Sequence, residues 1–447
     1  MRLSPAAGLA VAVLLATASA IAAQEPGPSP ALTHVPEPSP TRAQVLETHD
    51  PEPSPARAQV LESLREAFTL RGDEAALRVG GLFAADVVAW DRRNERHSGL
   101  EGGDVRPRFD LQRKSLRLFV EGDLLGDDAP HPLSEAWYSF DAAESVRLTA
   151  GFLRIALGTE FATPEEDLPL VGTSFTSQLD GRRDVGLRAE GTIFGGLGAD
   201  GEGAGLWWQA TAAGGHGYGL EGKPRQSGQY SLRLVADSPG IPGLYAGGGF
   251  ASLASFDDPV ELTTPLGSTV FTTPDLDGSG GRWMHLEAGY ARGPLAAGLE
   301  VIRGSADEVP VAGGGDLDMD QLTAWTASLG VSLTGERRGW REGAWTVETP
   351  RRGGAWEIGL RYSNADVDRN LFRAGYAHYD PSTQEVRTFS AVLGWRPAEG
   401  VRVALGWVKT ISDDTLTVFG GTNPDHPARA GGDGRDSSYV LRLEIAF

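Results

Sequence analysis

The last twelve residues of the chain alternate between the two faces of a β-strand. The apolar face consists of Tyr439, Leu441, Leu443, Ile445 and Phe447. Arg442 and Glu444 lie on the opposite face. An exposed apolar strand edge recruits other chains, whereas a closed barrel in a membrane has no edge and needs apolar residues outside and polar residues inside. The pattern predicts the closing strand of a transmembrane barrel, with an ordinary sandwich strand as the alternative.

The N-terminus has the pattern of a secretory signal. Arg2 precedes an apolar run over 6–18, and small residues at Ala20 and Ala22 provide a cleavage site. We therefore predict a cleaved signal peptide over 1–22. The apolar run is too short to span a bilayer, and no later stretch is longer, so entry into a membrane requires a barrel.

A Pro-rich segment follows the signal. The sequence of 36–47 recurs almost unchanged at 51–62, and a short helix is expected to continue to Phe68. We predict a periplasmic spacer over 23–74 and a barrel over 75–447. A contact of the repeat with peptidoglycan or with neighbouring subunits is the alternative.

Composition excludes several classes of function. The chain has no cysteine and a net charge of −20, which argues against disulfides, thiolate metal sites and nucleic acid partners. Its eight histidines are scattered and no HExxH or GxSxG motif occurs, so we predict no enzyme, no cofactor and no metal. Of these histidines only His285 lies on a predicted strand, where packing is the expected role. Lysine occurs at only three positions, so arginine supplies nearly all the positive charge.

Two-residue alternation from 75 onward predicts an all-β chain. Fifteen strands are visible, and an even count requires one more, which we place near 105–111 before the strand predicted at 112–123. The links between strands alternate between short ones and long ones. Short links are 141–145, 238–243, 292–294 and 397–400; long links are 156–182, 254–281, 305–320, 365–385 and 410–436. We therefore predict an antiparallel transmembrane β-barrel of about sixteen strands, with short periplasmic turns, long external loops, and one unusually long periplasmic turn at 336–353.

Several strands have one apolar and one polar face, notably those at 355–363 and 388–396. Aromatic residues near strand ends are typical of an interfacial girdle. We assign to this girdle Trp90, Trp207, Trp395, Trp407 and Tyr439.

Five segments resemble the phosphate-selective porin O and P family of bacterial outer-membrane porins. They are 133–140, 147–160, 181–191, 354–363 and 392–403. Arg154 stands where that family usually has lysine, and Ala156 where it usually has proline. The resemblance implies a homotrimeric porin in the outer membrane through which small anions such as phosphate diffuse.

The lumen is expected to carry an arginine ladder, because guanidinium groups bind phosphate and carboxylate through two hydrogen bonds. The pore-lining candidates are Arg113, Arg117, Arg147, Arg154, Arg182, Arg183, Arg188, Arg361, Arg396, Arg402 and Arg442. The long link 156–182 is the candidate constriction loop, with an acidic run of Glu165, Glu166 and Asp167. In the alternative interpretation, the arginines pair with lumen carboxylates and confer no selectivity. The candidate carboxylates are Glu121, Glu190, Glu357 and Glu444.

The expected partners follow from a barrel in the outer membrane. They are membrane lipid, lipopolysaccharide, small anionic solutes, and the insertion machinery, which would read Phe447 as its signal. A low-selectivity porin, a non-conducting structural or adhesive barrel, and a secreted all-β binding protein are the alternatives.

Overall fold

A computed structural model describes most of the chain from Thr69 onward. The described residues are 69–72, 74–90, 98–125, 133–180, 182–193, 205–214, 228–238, 240–256, 260–273, 279–310, 316–350, 354–368, 371–372, 382–412, 417–418, 428–429 and 435–447. The predicted signal peptide and nearly all of the predicted spacer and its helix lie outside these residues.

Sixteen antiparallel strands form a closed barrel. They are β1 (Ala75–Trp90), β2 (Gly99–Arg113), β3 (Leu116–Gly122), β4 (Leu133–Ala143), β5 (Val146–Ile155), β6 (Arg182–Thr192), β7 (Leu206–Ala213), β8 (Gln229–Asp237), β9 (Leu244–Phe256), β10 (Ser279–Arg292), β11 (Leu295–Pro310), β12 (Asp316–Ser332), β13 (Ala355–Val367), β14 (Glu385–Ala398), β15 (Val401–Ser412) and β16 (Arg435–Ala446). Each strand pairs with the next, and β16 closes the barrel by pairing with β1 from Leu82↔Ala446 to Trp90↔Ser438. The predicted fold is therefore confirmed.

The strand that alternation did not reveal is β2. The sequence-based estimate placed it near 105–111, and it runs from Gly99 to Arg113. It turns into β3 at Lys114, which has a φ of 52°. The strand predicted at 112–123 therefore begins only at Leu116. Its inner face carries the charged residues Asp104, Arg106, Arg108 and Asp110.

The two ends of the barrel differ in the length of their links. At the end where β1 begins and β16 finishes, called here the turn end, two-residue turns lie at 114–115, 144–145, 293–294 and 399–400. At the opposite end, called the loop end, the links are longer, including 156–181 and 413–434. Every link considered in the sequence lies at its predicted end, but the one predicted as long at 305–320 is shortened to 311–315 because both of its strands extend into it. The links 193–205 and 333–354 are long exceptions at the turn end.

The outer surface of the barrel is apolar and the inner surface is polar. Tyr439 is 55% exposed and faces outward, whereas Glu357 is 2% exposed and faces inward. Of the predicted girdle, Trp395, Trp407 and Tyr439 share the outward face of their strands. The assignment of Trp90 and Trp207 was wrong, because both are buried on inward faces. A position near a strand end does not determine which face a side chain occupies.

Several described segments fold into the barrel. The link 156–181 carries α1 (Thr159–Ala162), a 3-10 turn (Glu165–Asp167) and α2 (Phe175–Asp180). A hairpin of Glu261–Thr263 and Thr269–Thr272 packs its Leu262 and Phe271 against Phe175 in one apolar cluster. A second hairpin, Arg338–Arg341 with Ala344–Val347, enters from the turn end.

Among the described helices, none is both long and apolar enough to cross a membrane.

Candidate pore constriction

The acidic run of the link 156–181, called here the constriction loop, contacts the wall formed by β2 and β16. Glu166 Oε1 accepts a hydrogen bond from Arg108 Nη1 at 2.6 Å. Glu165 lies 3.2 Å from Arg106 Nη2 and also accepts from Arg442 Nη1. Two loop carboxylates therefore face three wall guanidinium groups.

Neighbouring carboxyl groups in the constriction loop have pKa values that are shifted in opposite directions. Burial opposes ionisation of Glu165 and Glu166, but Arg442 and Arg106 hold the pKa of Glu165 below its usual value, and Arg108 does the same for Glu166. Burial, together with the charge of Glu166, raises the pKa of Asp167 to about 6. At neutral pH the acidic run is charged, and Asp167 is its most easily protonated member.

The constriction loop is anchored to β13 by Arg361. This side chain is 1% exposed. Its Nη1 donates to Glu160 Oε1 at 3.0 Å and to the Gly172 carbonyl at 2.9 Å. Glu160 Oε1 also accepts from the Ser174 amide at 2.8 Å. On the same strand, a Cβ at Gly359 would lie 2.0 Å from the Pro169 carbonyl oxygen, so the loop backbone rests directly on the barrel wall there.

Glu357 is the centre of a second buried ionic cluster. It accepts from Arg338 Nη2 at 2.5 Å, from Arg402 Nε at 2.8 Å and from Arg396 Nε at 3.3 Å. Arg402 also donates to Glu444 Oε2 at 3.1 Å. Because Arg402 and Glu357 are nearly inaccessible, this cluster joins strands together more than it lines a path.

Three of the predicted arginines form a half-buried patch on β5 and β6. Arg154 Nε donates to Glu135 Oε1 at 2.8 Å, and Gly151, with a φ of +136°, gives β5 the irregularity that this orientation requires. Arg188 Nη1 donates to the Arg154 carbonyl at 3.3 Å. Arg183 lies beside Arg154 in the register, and its Nε makes no hydrogen bond within the described residues.

The remaining predicted arginines lie elsewhere or are not described. Arg113 is exposed at the end of β2 beside Glu74, outside the lumen in which it was expected. Arg117 is bound to Asp110 at 2.8 Å near the same end. Arg147 is partly exposed and lies 2.9 Å from Asp141. The side chain of Arg182 lies outside the described part of the chain.

The terminal residue extends the closing pair of strands. The Phe447 amide donates to the Gly81 carbonyl at 3.1 Å, and the Gly81 amide donates in return at 3.1 Å. Phe447 is 38% exposed.

Each carboxylate proposed as a structural partner has an arginine beside it. Glu121 pairs with Arg108. Glu190 lies 3.3 Å from Arg188 Nε. Glu357 and Glu444 share Arg402. Arginines therefore lie along the inner surface and also pair there with carboxylates, so the two interpretations are compatible.

Sequence reasoning missed four arginines that belong to the inserted segments or contact them. Two of them, Arg106 and Arg108, lie between Asp104 and Asp110, so that charged residues occupy every second position. That period of two was a usable signal for an inward strand face. The other two are Arg233 and Arg338.

The turn-end hairpin meets the constriction loop inside the barrel. Trp345 N donates to Thr163 Oγ1 at 2.9 Å, and its Nε1 donates to Tyr245 Oη at 2.8 Å. The ring of Trp340 stacks on that of Tyr245, with centroids 4.9 Å apart. Between hairpin and wall, a cavity of about 320 Å³ opens at the turn end. Its charged lining includes Arg108, Arg117, Glu166, Glu348, Arg396 and Arg402.

Comparison with known proteins identifies the barrel type. No family model matches the chain, and no curated protein sequence matches it significantly. The anion-selective porin from Comamonas acidovorans has a TM-score of 0.51 and 11% identity, covering 84% of this chain and 100% of that chain. The outer membrane channel DcaP of Acinetobacter baumannii has a TM-score of 0.49 and 10% identity, covering 85% and 99%.

The resemblance to the phosphate-selective porin O and P family stays a prediction at these levels of identity. The similarity to the Comamonas acidovorans porin supports the barrel architecture, which agrees with the closed pairing of β1 and β16. The chain therefore has a porin-like transmembrane β-barrel fold.

Proposed function

We propose that the chain is an outer-membrane porin through which small hydrophilic solutes diffuse passively, with a preference for anions such as phosphate. The observation that carries the proposal is the closed barrel with an apolar outside, a charged inside and an inserted loop. A pore selects by the fixed charge of its lining and by its narrowest radius. The function requires no catalytic residue and no cofactor.

Support for anion preference comes from the patch on β5 and β6. Arg154, Arg183 and Arg188 there face two carboxylates, Glu135 and Glu190. The three guanidinium groups outnumber the two carboxylates that pair with them, although Asp184 also lies on β6. Half-buried guanidinium groups can bind a passing anion through two hydrogen bonds.

The location and assembly of the protein belong to the same proposal. A signal peptide at 1–22 would export the chain, 23–74 would be a periplasmic spacer, and Phe447 would direct insertion of the barrel. The turn end would then face the periplasm and the loop end would face outward. Lipid, lipopolysaccharide and two further copies of the chain would be its partners.

A low-selectivity porin is the second candidate, and the contacts of the constriction loop favour it. Glu165 and Glu166 pair directly with the wall arginines, so the charges in the loop and the wall largely cancel. A non-conducting barrel is the third candidate. It is favoured by the contact of the turn-end hairpin with the constriction loop inside the barrel, where the Trp345 amide donates to Thr163 Oγ1.

Planar-bilayer recordings of the purified protein in a salt gradient separate these candidates. We expect single-channel conductance and a reversal potential of the sign that anion preference produces. Reversal near zero would indicate a low-selectivity pore, clear cation preference would overturn the anion proposal, and absence of conductance would overturn the porin proposal.

A pair of variants locates the selectivity. Arg183→Glu combined with Arg188→Glu should shift the reversal potential toward cation preference, because it reverses charge in the half-buried patch. The matched control is Arg113→Glu, which makes one such change at an exposed position at the end of the barrel. Equal shifts in control and test would exclude the patch as the filter.

A further inference from the structure

Three ligand-type side chains from different segments converge in the lumen. Asp180 ends α2, His285 lies on β10 and Glu300 lies on β11. One ligand atom from each residue lies within 4.8 Å of the other two, and all three residues are buried. A Cβ at Gly158 would lie 2.6 Å from His285 Nε2 and 2.8 Å from Asp180 Oδ2, so these two atoms face the same small space.

The two strands bring like charges face to face at this position. Glu287 and Glu300 are directly opposite in the register of β10 and β11, an arrangement that destabilises a sheet unless cations balance it. Arg233 balances the first, with Nε at 2.7 Å from Glu287 Oε1 and Nη2 at 2.8 Å from Oε2. No arginine binds Glu300 among the described residues.

His285 and Glu300 have unused hydrogen-bonding atoms. His285 is 1% exposed, and neither ring nitrogen makes a hydrogen bond within the described residues. Glu300 Oε1 accepts from the Glu160 amide at 2.8 Å. Its Oε2 has no hydrogen-bond donor among the described residues and lies 3.5 Å from His285 Nε2. Buried polar atoms are ordinarily paired, so these atoms indicate a missing partner.

The charges around the cluster do not balance. Arg233 is used by Glu287, and Arg361 is used by Glu160. Asp180 and Glu300 are left with a formal charge of −2, and within the described part of the chain the one ionisable base beside them is His285. The Asp180 oxygens accept hydrogen bonds only from the backbone amides of Leu157 and Gly158 among the described residues, so no cation neutralises this carboxylate there. Buried carboxylates without a cation are costly.

We propose that Asp180, His285 and Glu300 bind a divalent transition-metal ion, such as Zn²⁺ or Mn²⁺, that fastens the constriction loop to the barrel wall. The ion supplies the missing positive charge and uses the unpaired atoms of His285 and Glu300. It links α2 to β10 and β11, and through Asp180 it also orders the loop backbone at Leu157 and Gly158. The role is structural and holds whether or not the barrel conducts.

The ligand set determines the class of metal. An imidazole nitrogen with two carboxylate oxygens suits zinc, manganese or iron(II), whereas calcium and magnesium prefer oxygen ligands alone. Ligands held about 2.1 Å from zinc in a tetrahedron lie roughly 3.4 Å apart. The separation of 3.5 Å between His285 Nε2 and Glu300 Oε2 matches that spacing. Solvent would complete the coordination.

Metal content of the purified full-length protein tests the proposal. The protein in detergent is stripped with EDTA, incubated with ZnCl₂, MnCl₂ or CaCl₂, desalted and measured by elemental mass spectrometry. We expect about one Zn²⁺ or Mn²⁺ per chain, no retained Ca²⁺, and at least a tenfold loss of retained metal in Asp180→Asn and in His285→Gln. The matched control is Asp167→Asn, the same substitution in the same loop, which should retain the metal.

A second measurement uses only the wild-type protein and guards against variants that fail to fold. Zn²⁺ should raise the unfolding temperature of the stripped protein, and EDTA should reverse the rise. Retention by His285→Gln equal to wild type would overturn the proposal. So would an unfolding temperature indifferent to Zn²⁺ and EDTA, which would mean that a protonated His285 alone balances the two carboxylates.

Discussion

Arg361 Nη1 lies 3.0 Å from Glu160 Oε1, and both side chains are buried in the barrel lumen. This pair joins the start of the constriction loop to β13, and the same guanidinium binds the Gly172 carbonyl further along the loop. An arginine that sequence reasoning placed in an anion ladder is therefore positioned as an anchor for the loop.

Removing this anchor should destabilise the barrel. Arg361→Met leaves Glu160 as a buried charge without its partner, and breaking a buried pair in this way costs about 3–5 kcal/mol. We expect a lower unfolding temperature by circular dichroism in detergent and noisier single-channel currents. Arg117→Met is the control, because its pair with Asp110 is exposed and contributes at most about 1 kcal/mol. Equal destabilisation by both variants would contradict the anchoring role.

Neutralising the acidic run should increase anion preference. Glu165→Gln with Glu166→Gln removes two carboxylates from Arg106, Arg108 and Arg442, and the freed guanidinium groups then face the lumen. The reversal potential in a salt gradient should shift in the anion-selective direction. Glu144→Gln, at an exposed two-residue turn, should leave it unchanged. A shift toward cations would show that the arginines depend on these carboxylates for their position.

The turn-end hairpin should limit the size of the solutes that pass. Trp340→Ala removes a ring that stacks on Tyr245 and contacts Trp207 edge-on, at a cost of about 3–5 kcal/mol for a buried aromatic side chain. We expect faster uptake of larger neutral sugars in liposome-swelling assays. Trp356→Ala is a control, because that side chain lies on the outer face. Unchanged uptake by Trp340→Ala would place the hairpin outside the path of the solute.

Selectivity should depend on pH through Asp167. Its pKa is raised to about 6, so it is neutral in more acidic solution and gains a negative charge as the pH rises through 6. Anion preference should therefore be greater at pH 5 than at pH 7.5, and this change should be smaller in Asp167→Asn. An identical pH dependence in the variant would assign the effect to other groups.

The same raised pKa has a consequence for stability. The folded protein retains the proton of Asp167 at a pH where the unfolded chain, with a value near 3.8, has already lost it. The contribution of this group to stability is therefore full below about pH 4 and is lost as the pH rises to about 6. Comparison of unfolding temperatures of wild type and Asp167→Asn at pH 4 and pH 7 measures it.

The sequence correctly predicted which side chains face the lumen and which face outward in strands that alternate cleanly. In β13 and β16, Glu357 and Arg442 face inward, and Trp356 and Tyr439 face outward, as their positions predicted. The prediction failed at Trp90 and Trp207, because an aromatic residue near a strand end suits a membrane interface and a packed lumen equally well. The convergence of His285 with Asp180 could not be read from either residue's neighbours in sequence.

The sequence by itself determined the barrel, because alternating polarity and alternating link lengths are local properties that leave few other ways to satisfy backbone hydrogen bonds in a membrane. It also determined which link would fold inward with an acidic run. Only the tertiary structure decided which carboxylate each arginine binds, and that Arg361 holds a loop while Arg183 Nε has no acceptor among the described residues. Those pairings depend on how the constriction loop crosses the lumen, and that path is set by contacts between residues far apart in the chain.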